Sequence, residues 1–333
     1  MHTDQMEQLT SSITHLSPPV DPRNDGMNLD LDWVLAVQAN TSAIERRCSS
    51  FPGRRSIKKE HQAAWLARSI SCIDLTTLSG DDTVGRIRRL CAKARQPVRQ
   101  DILNHIGLPN LKTGAVCVYH DMIAHAKSAL AGSKIPIAAV STGFPAGLTP
   151  FKLKVLEIHE SVAAGADEID VVISRKHVLN GDWKKLYDEV KEYKAACGSS
   201  HLKTILATGE LGTLRNVAKA SWVSMMAGAD FIKTSTGKES INATLPVTLV
   251  MLRAIRDYFE LTGQRIGYKP AGGISKAKDS INYLILVNEE LGRNWLTPNL
   301  FRFGASSLLA DIERQLEFYS TGNYSAFNRH GIA

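Results

Sequence analysis

The chain has 333 residues, of which 44% are hydrophobic and 22% are charged, and its formal net charge is +7. This composition is close to that of ordinary globular proteins, so collagen-like, wholly disordered and disulfide-scaffold classes are excluded. The length fits two ordinary domains or one large α/β domain with an extension. The positive excess is compatible with a nucleic-acid surface or with a site for anionic small molecules.

The distribution of charge favours a site for small anions. Residues 1–45 contain one Arg and seven acidic residues, and residues 46–68 contain seven basic residues and one acidic residue, so the first 68 residues cancel. The whole excess lies in residues 69–333, where no run of five or six like charges occurs. The basic stretch 46–60 has a single aromatic residue, Phe51, whereas nucleic-acid surfaces interleave several. We therefore expect no nucleic-acid partner.

The five cysteines form no CxxC pair and no His/Cys cluster at metal-binding spacing. This pattern predicts reduced thiols and no metal site. No stretch approaches the roughly 20 apolar residues of a membrane span, and the N-terminus lacks the apolar region of a signal peptide. We expect a cytoplasmic protein without a membrane partner.

The two ends of the chain differ from its middle in residue composition and hydrophobic pattern. Residues 1–28 are rich in Ser, Thr, Pro, Asn and Asp, which predicts a flexible arm. A helix-like apolar pattern covers residues 29–37, and residues 46–60 are typical of a solvated basic linker. Residues 1–68 are thus predicted as a partly flexible extension with short helical segments, and residues 320–333 as a C-terminal tail.

Between these ends, short β-rich runs alternate with longer helical patterns. The eight predicted strands are Ser69–Leu78, Ala115–Tyr119, Ile135–Thr142, Glu168–Ser174, Leu202–Thr208, Phe231–Ser235, Ile266–Lys269 and Phe301–Gly304. The helices predicted to follow them are Thr83–Ala94, Met122–Ala131, Pro150–Ala164, Trp183–Ala196, Leu214–Met226, Leu245–Leu261, Lys276–Leu291 and Leu308–Tyr319. Eight βα units in about 250 residues predict an α/β fold with a (β/α)₈ TIM barrel over residues 69–319.

A repeated phrase orients the predicted barrel. Ala-Gly-Ala-Asp occurs at Ala164–Asp167 and at Ala227–Asp230, each time between a helix and the next strand. A Gly at the end of a helix permits the left-handed turn that leads into a strand. These turns belong to the N-terminal face of a barrel, so the functional face is predicted at the C-terminal ends of the strands.

Ionisable residues interrupt four of the predicted strands near those ends: Asp170, Lys203, Lys233 and Lys269. They are 33, 30 and 36 residues apart, about one βα unit each, so we expect them at comparable heights on consecutive strands. For any single strand lysine, an ion pair or a snorkelling side chain is the ordinary explanation. Several lysines in an apolar site favour a neutral amine, through like-charge repulsion and desolvation. Such an amine can attack a carbonyl carbon, so the set predicts Schiff-base chemistry.

Loops after the last strands predict a phosphate site. Gly272 and Gly273 follow the seventh strand, and Ser306 and Ser307 follow the eighth strand at the start of a helix. Glycines let a phosphate approach the backbone, and a helix N-terminus supplies N–H groups. The run Thr234–Lys238, after Lys233, is predicted to close the third side.

Six segments together resemble one family. They are Ile73–Leu78, Glu168–Val172, Leu202–Leu211, Ala229–Lys238, Lys269–Gly273 and Phe303–Ser307. In order and spacing they are similar to the deoxyribose-phosphate aldolases, from about residue 69 to about residue 317. The pair Phe-Ile-Lys-Thr-Ser-Thr-Gly-Lys and Lys-Pro-Ala-Gly-Gly makes the resemblance specific.

The resemblance implies a class I aldolase that interconverts 2-deoxy-D-ribose 5-phosphate with D-glyceraldehyde 3-phosphate and acetaldehyde, in deoxyribonucleoside catabolism, without a metal ion or another cofactor. It implies that Lys233 is the Schiff-base nucleophile, that Lys269 is the cation that favours its neutral form, and that Asp170 transfers protons with water. The remaining implied substrate-binding residues are Lys203, Asp74, Thr76, Cys117, Gly237, Lys238, Gly272, Gly273, Ser306 and Ser307.

The chain also departs from the family pattern. Bacterial members begin close to the first strand, so they imply no function for residues 1–68. Ala207 stands where bacterial relatives often have a glutamate, which leaves Lys203 with one possible partner fewer. Bacterial tails often end in a Tyr that reaches the site, whereas this chain ends in Ala333, with Tyr319 and Tyr324 as possible substitutes.

Other functions remain open from the sequence alone. A transaldolase-like barrel acting on a larger sugar phosphate would also use a Schiff-base lysine and a phosphate site. A barrel without catalysis could act as an interaction module through its N-terminal arm, although it would not need all four ionisable strand residues. We expect a small sugar phosphate as the substrate and a homo-oligomer, most simply a dimer.

Overall fold

The computed structural model describes residues 23–54, 57–326 and 329–331. Within them, eight strands alternate with helices along the chain. The strands are β1 Ile73–Thr76, β2 Ala115–Tyr119, β3 Ile137–Ser141, β4 Glu168–Val172, β5 His201–Ile205, β6 Phe231–Lys233, β7 Gly267–Lys269 and β8 Phe303–Ala305. Most of their residues are buried, as expected for strands that are covered on both faces.

The strands form one parallel sheet in the order β7-β6-β5-β4-β3-β2-β1-β8. Two isolated bridges, Tyr268 with Phe301 and Ala271 with Gly304, join β7 to the segment around β8 and close the sheet. The predicted (β/α)₈ TIM barrel is confirmed.

Helices surround the sheet and also precede it. Those before β1 are α1 Leu31–Ala36, α2 Thr41–Ser49, α3 Phe51–Arg54 and α4 Lys59–Ser71. Those after β1 are α5 Val84–Arg95, α6 Gln100–His105, α7 Ile123–Ala129, α8 Phe151–Ala164, α9 Arg175–Leu179, α10 Trp183–Cys197, α11 Leu214–Met226, α12 Leu245–Thr262, α13 Ala277–Leu291 and α14 Ser307–Thr321. All eight predicted crossover helices are present, whereas α6 and α9 were not predicted.

The two Ala-Gly-Ala-Asp phrases lie at αβ turns, as predicted. Gly165, after α8, has φ of 102°, and Gly228, after α11, has φ of 101°. Both values lie in the left-handed region that a glycine adopts without a steric penalty. The phrases therefore mark the N-terminal face of the barrel, opposite the strand ends that carry the lysines.

The prediction of a solvated basic linker over residues 46–60 is wrong for residues 46–49. Residues up to Ser49 belong to α2, whose Ile44 and Cys48 are buried in the main core. Arg47 forms ion pairs of 3.0 Å with Glu289 and with Glu290. The basic side chain thus compensates acidic groups on α13, a partnership that the local sequence does not reveal.

The first strand is shorter than predicted. Residues 69–71 end α4 instead of beginning β1. Ala63, Leu66, Ala67 and Ile70 recur at helical spacing and are buried. Ser69 also donates a hydrogen bond from its Oγ to the Trp65 carbonyl, four residues back. Helical packing therefore prevails over the β-branched character of this stretch.

The predicted flexible arm is only partly within the described residues, since residues 1–22 lie outside them. Residues 23–28 are docked on the N-terminal face of the barrel. Asn24 is 1% exposed, its backbone N–H donates to Asp230 Oδ1 at 2.8 Å, and its side-chain amide donates to the carbonyls of Met225 and Ala229. The prediction of flexibility is therefore wrong for this segment.

Two further expectations concern the environment of the chain. In the part of the chain that the structure describes, no helix is long and apolar enough to cross a membrane. All five cysteines are buried and have free thiols.

Replacing Asn24 with Ala should lower the free energy of unfolding by about 1–3 kcal/mol, because the carbonyls of Met225 and Ala229 would lose their buried donor. Urea unfolding of the variant and of Asp25→Ala, which changes an exposed neighbour, measures the difference. Equal stabilities of the two variants would show that the hydrogen bonds of the Asn24 side chain contribute nothing.

Candidate active site

A cavity of about 370 Å³ opens at the C-terminal ends of the strands. Four groups of loop residues line it, following β1, β6, β7 and β8. Of the residues predicted for the site, eight line this cavity: Thr76, Lys233, Gly237, Lys238, Gly272, Gly273, Ser306 and Ser307. The other five lie beneath it and are fully buried: Asp74, Cys117, Asp170, Lys203 and Lys269.

Lys233 lies at the floor of the cavity, with 3% of its side chain exposed. Its Nζ donates a hydrogen bond to Asp170 Oδ2 at 2.7 Å, and Lys269 Nζ donates to the same oxygen at 2.8 Å. One carboxylate oxygen thus separates the two ammonium positions. Of the three strand lysines, Lys233 alone reaches the cavity.

A second layer of charges lies deeper in the barrel. Lys269 also contacts Asp74, and Lys203 contacts Glu168 and lies 3.3 Å from Asp170 Oδ1. Arg302, just before β8, donates from Nη1 to Asp74 Oδ1 at 2.5 Å and from Nη2 to Glu168 Oε1 at 2.7 Å. The interior therefore holds a connected network of four basic and three acidic side chains, here called the charge network: Asp74, Glu168, Asp170, Lys203, Lys233, Lys269 and Arg302.

The predicted common height of the lysines is only partly correct. Lys233 pairs with Lys269 in the sheet register, and Asp170 pairs with Lys203. However, Lys203 pairs with Phe231, two residues before Lys233, so Lys203 lies one layer deeper. Spacing along the sequence gives one group per βα unit, but the stagger between tilted barrel strands sets the actual height.

The network keeps its carboxylates ionised. Burial alone would raise the pKa of Asp170, but Lys233, Lys269 and Lys203 outweigh it and hold that pKa well below its usual value. Burial likewise opposes ionisation of Asp74, yet Arg302 and Lys269 lower its pKa to about 2. The pKa of Glu168 is also lowered, since Arg302 and Lys203 outweigh burial.

The pKa of Lys269 does not follow the expectation that repulsion between lysines dominates. Burial would lower its pKa, but Asp170 and Asp74 outweigh burial and raise it. Lys269 is therefore held as an ammonium group by two carboxylates. Lys233, in contrast, contacts one carboxylate oxygen that it shares with Lys269. This asymmetry distinguishes the two paired lysines.

Cys117 on β2 is fully buried, in an apolar cluster with Val140, Phe144, Val172 and Ile205. Burial raises the pKa of its thiol. The Cys117 side chain therefore lies between this apolar cluster and the charge network, and its thiol is neutral at physiological pH. Thr76 donates from Oγ1 to the carbonyl of Asp74 at 2.7 Å, which fixes its hydroxyl at the cavity wall.

The loops after β7 and β8 bring backbone close to the cavity. Gly272 and Gly273 have φ of 79° and 78°, and a Cβ at Gly272 would lie 2.6 Å from the side chain of Asn242. Ser306 and Ser307 stand at the N-terminus of the 15-residue helix α14. Positive φ angles and a helix N-terminus are typical of places where anions bind.

The third loop, after β6, is organised by Glu239. The N–H of Gly237 donates to Glu239 Oε2 at 3.1 Å, and the N–H of Thr236 donates to both oxygens of that carboxylate. Glu239 therefore folds this loop upon itself, which orders Gly237 and Lys238 beside the cavity. Lys238 is exposed there, so its side chain is available to an anion.

Comparison with known proteins decides the family. The model of the DeoC/LacD family aldolases matches residues 68–311. Deoxyribose-phosphate aldolases from Homo sapiens and Mus musculus are 57% and 58% identical to the chain, over 309 and 307 residues that cover 92% and 91% of it and 97% and 96% of the relatives. The chain belongs to the DeoC/LacD family of aldolases.

Solved structures that are similar to this chain agree with the fold. A structure from Toxoplasma gondii ME49 superimposes with a TM-score of 0.67 at 22% identity and covers 78% of this chain and 97% of that one. A deoxyribose phosphate aldolase from Aeropyrum pernix, described as a tetramer, gives a TM-score of 0.54 at 20% identity and covers 86% and 100%. At these identities the likeness shows the fold alone.

Part of the N-terminal extension is shared within the DeoC/LacD family. Residues 69–333 make up about four fifths of the chain. The alignments with the human and mouse aldolases cover more than nine tenths of it, so they reach into residues 1–68. The aligned part of the extension is thus common to these relatives and this chain.

Sequence reasoning missed Glu168 and Arg302. The signal for Glu168 was its separation of two residues from Asp170, which places both side chains on one face of β4. Arg302 lies outside the predicted motif residues, and only the closed barrel brings it against Asp74 and Glu168. Glu168, not a residue at position 207, is the second partner of Lys203. Ala207 is buried with φ of 55°.

The tail tyrosines do not reach the cavity. Tyr319 packs its ring against His105, with centroids 6.1 Å apart, and Tyr324 stacks on Phe318 at 4.2 Å. Neither lines the cavity. Among the described residues, no group of three or more His, Cys, Asp or Glu side chains is placed to hold a metal ion.

Replacing Asp74 with Asn should flatten the pH dependence of stability in acid. The folded pKa of about 2 lies below the unfolded value of about 3.9, so Asp74 stabilises the fold above pH 4 and loses this contribution as the pH falls towards 2. Urea unfolding between pH 7 and pH 3 measures the slope. Asp188→Asn, which changes an exposed carboxylate on α10, is the control, and an unchanged slope in Asp74→Asn would contradict the assigned contacts.

Proposed function

We propose that this chain is a class I deoxyribose-phosphate aldolase that cleaves 2-deoxy-D-ribose 5-phosphate into D-glyceraldehyde 3-phosphate and acetaldehyde, with Lys233 as the nucleophile. The observation that carries this proposal is the position of Lys233 at the floor of the cavity. Its Nζ is held by a single shared oxygen of Asp170, while glycine loops and a helix N-terminus surround the cavity mouth. Membership in the family and the identity to mammalian deoxyribose-phosphate aldolases support the same substrate.

The charge network supports a neutral amine at Lys233. The network has four basic and three acidic members. If every basic group is protonated and every carboxylate is ionised, one positive charge stays uncompensated in a buried site, which is costly. Lys269 contacts two carboxylates, and so does Lys203. Lys233 contacts only one oxygen, which it shares. Loss of the Lys233 proton therefore balances the charges of the network, and it sacrifices less attraction to carboxylates than loss of a proton from Lys203 or Lys269 would.

The cavity also suits the two ends of the substrate. The phosphate lies against Gly272, Gly273, Ser306 and Ser307, with the side chain of Lys238 as a cationic partner. The aldehyde carbon of the opened sugar then points down to Lys233 Nζ. Anchoring the phosphate in this way converts the attack on the aldehyde into an intramolecular event, which favours the reaction entropically.

The chemistry proceeds in balanced steps. The amine of Lys233 adds to C1, and loss of water gives an iminium ion. Acetaldehyde contains C1 and C2 of the sugar, so the bond between C2 and C3 breaks and its electrons move into the iminium to form an enamine. The proton of the C3 hydroxyl passes through water to Asp170. Protonation of the enamine at C2 and hydrolysis of the resulting iminium release acetaldehyde and restore the amine.

Asp170 becomes a stronger base at the step that needs one. While the nitrogen of Lys233 carries a positive charge, it and the other two lysines hold the pKa of Asp170 well below the usual value. As the bond between C2 and C3 breaks, the cationic iminium becomes a neutral enamine. Asp170 thereby loses one cationic neighbour while it accepts a proton, and Lys269 stabilises the position of the carboxylate throughout.

The cytoplasmic location and a role in deoxyribose phosphate breakdown belong to the same proposal. Five free and buried cysteines support a reducing compartment. The dimer that we expected from the sequence stays a prediction.

Borohydride trapping tests the nucleophile. The protein is incubated with acetaldehyde or deoxyribose 5-phosphate, reduced with borohydride, digested and mapped by mass spectrometry. We expect one adduct, on the peptide that contains Lys233, and its absence in Lys233→Leu. An adduct on another lysine, or no adduct, would overturn the proposal. Cleavage should also persist in excess chelator, and its loss there would indicate a metal-dependent aldolase.

Removing Lys269 should reduce turnover near neutral pH and move the pH–rate profile towards higher pH by about one to two units. In Lys269→Leu, Lys233 would be the one lysine left in contact with Asp170 Oδ2. Because the carboxylate then attracts Lys233 without a competing cation, the charged form of Lys233 is favoured. The measurement is kcat/KM against pH, with Lys184→Leu, an exposed lysine on α10, as the control. An unchanged profile in Lys269→Leu would show that this role is wrong.

A further inference from the structure

Arg302 and Glu168 form the base of the charge network, away from the substrate cavity. Arg302 is 3% exposed and Glu168 is 3% exposed. The guanidinium donates to Asp74, to Glu168 and to the carbonyl of Pro298, so its three nitrogens all have partners. Neither residue lines the cavity that contains Lys233.

The two residues are connected to Lys233 through two routes. In one, Arg302 contacts Asp74, Asp74 contacts Lys269, and Lys269 shares Asp170 Oδ2 with Lys233. In the other, Glu168 contacts Lys203, and Lys203 lies 3.3 Å from Asp170 Oδ1. A change of charge at the base therefore reaches Asp170 through side chains that are themselves buried and weakly screened.

We propose that Arg302 and Glu168 are positioning residues that set the net charge of the buried network and thereby the pH at which Lys233 becomes a free amine. Arg302 supplies the fourth positive charge. Without it, three protonated lysines and three ionised carboxylates would balance each other. Glu168 limits that excess to a single charge. The inference rests on the proposed function, since it concerns the amine that forms the Schiff base.

The charged and titratable neighbours of these groups come from several strands of the barrel. Around Lys233 they are Asp170, Lys269 and the neutral thiol of Cys117. Around the base of the network they are Asp74, Lys203 and Cys72, whose pKa burial raises to about 11. A second cavity of about 750 Å³ on the N-terminal face borders Glu168 and Arg302, and its other ionisable lining residues are Lys127, Lys134, Asp167 and His201.

A purely structural role would give a different pattern from a role in charge balance. If the two residues only cross-link β1, β4 and β8, every substitution should lower stability and activity without moving the pH–rate profile in a preferred direction. If they set the charge balance, removal of the positive group and removal of the negative group should move the profile in opposite directions. The double substitution should then restore it.

The test is kcat/KM for cleavage of deoxyribose 5-phosphate between pH 5 and pH 9.5 at constant ionic strength, since its acid limb reports the free enzyme. We expect Arg302→Met to move this limb up by about one pH unit and Glu168→Gln to move it down by about one unit, as for one charge in a buried site. Arg302→Met with Glu168→Gln should return the limb to within about 0.3 unit of the wild type, and Arg302→Lys should stay close to it.

Glu189→Gln is the matched control. Glu189 is a buried carboxylate outside the network, bound by Lys154, Ser174 and Tyr193. This variant should lose stability while its pH–rate profile stays in place. A shift equal to that of Glu168→Gln would show that the effect is unspecific and would overturn the inference.

The remaining outcomes are also decisive. Shifts of Arg302→Met and Glu168→Gln in the same direction, or no shift in either, overturn the inference. If Arg302→Met does not fold, Glu168→Gln and the double variant decide, because a double variant that keeps the shift of Glu168→Gln contradicts charge balance. Borohydride mapping accompanies each profile. An adduct away from Lys233 overturns the proposed function, whereas an adduct on Lys233 with unmoved profiles overturns only the inference.

Discussion

The shared oxygen of Asp170 is the contact on which the site depends. Two lysine nitrogens approach it at 2.7 and 2.8 Å in the buried interior of the barrel. Without the carboxylate, the two cations would repel each other across adjacent strands. With it, they stay close, yet they are unequal, because Lys269 has a second carboxylate in Asp74 and Lys233 has none. The nucleophilic role that we propose for Lys233 follows from this inequality.

The barrel makes such a network possible. Parallel strands present their side chains inward at regular steps, so groups that are 30 or more residues apart in sequence become neighbours. Closure brings Arg302, near the end of the chain, against Asp74 on the first strand. Buried charges of this kind destabilise a fold unless each has partners. Their retention in the interior is therefore better explained by function than by stability.

The sequence predicted the fold well because eight βα units repeat a pattern that local physics determines. It also indicated Lys233, Lys269 and Asp170, since charged residues within apolar strands are conspicuous. It failed where tertiary contacts decide. Arg47 looks like part of a solvated linker until Glu289 and Glu290 are placed beside it, and Arg302 looks like an ordinary strand-edge residue until the barrel closes. The depth of Lys203 depends on strand stagger, which spacing does not contain.

The order in which the three buried lysines lose their protons tests the account most directly. Protein labelled with ¹³C at lysine Cε can be titrated by NMR, with the signals assigned through Lys203→Arg, Lys233→Arg and Lys269→Arg. The account predicts that Lys233 is the first of the three to deprotonate as the pH rises, while Lys269 stays charged. Deprotonation of Lys269 or Lys203 before Lys233 would contradict it.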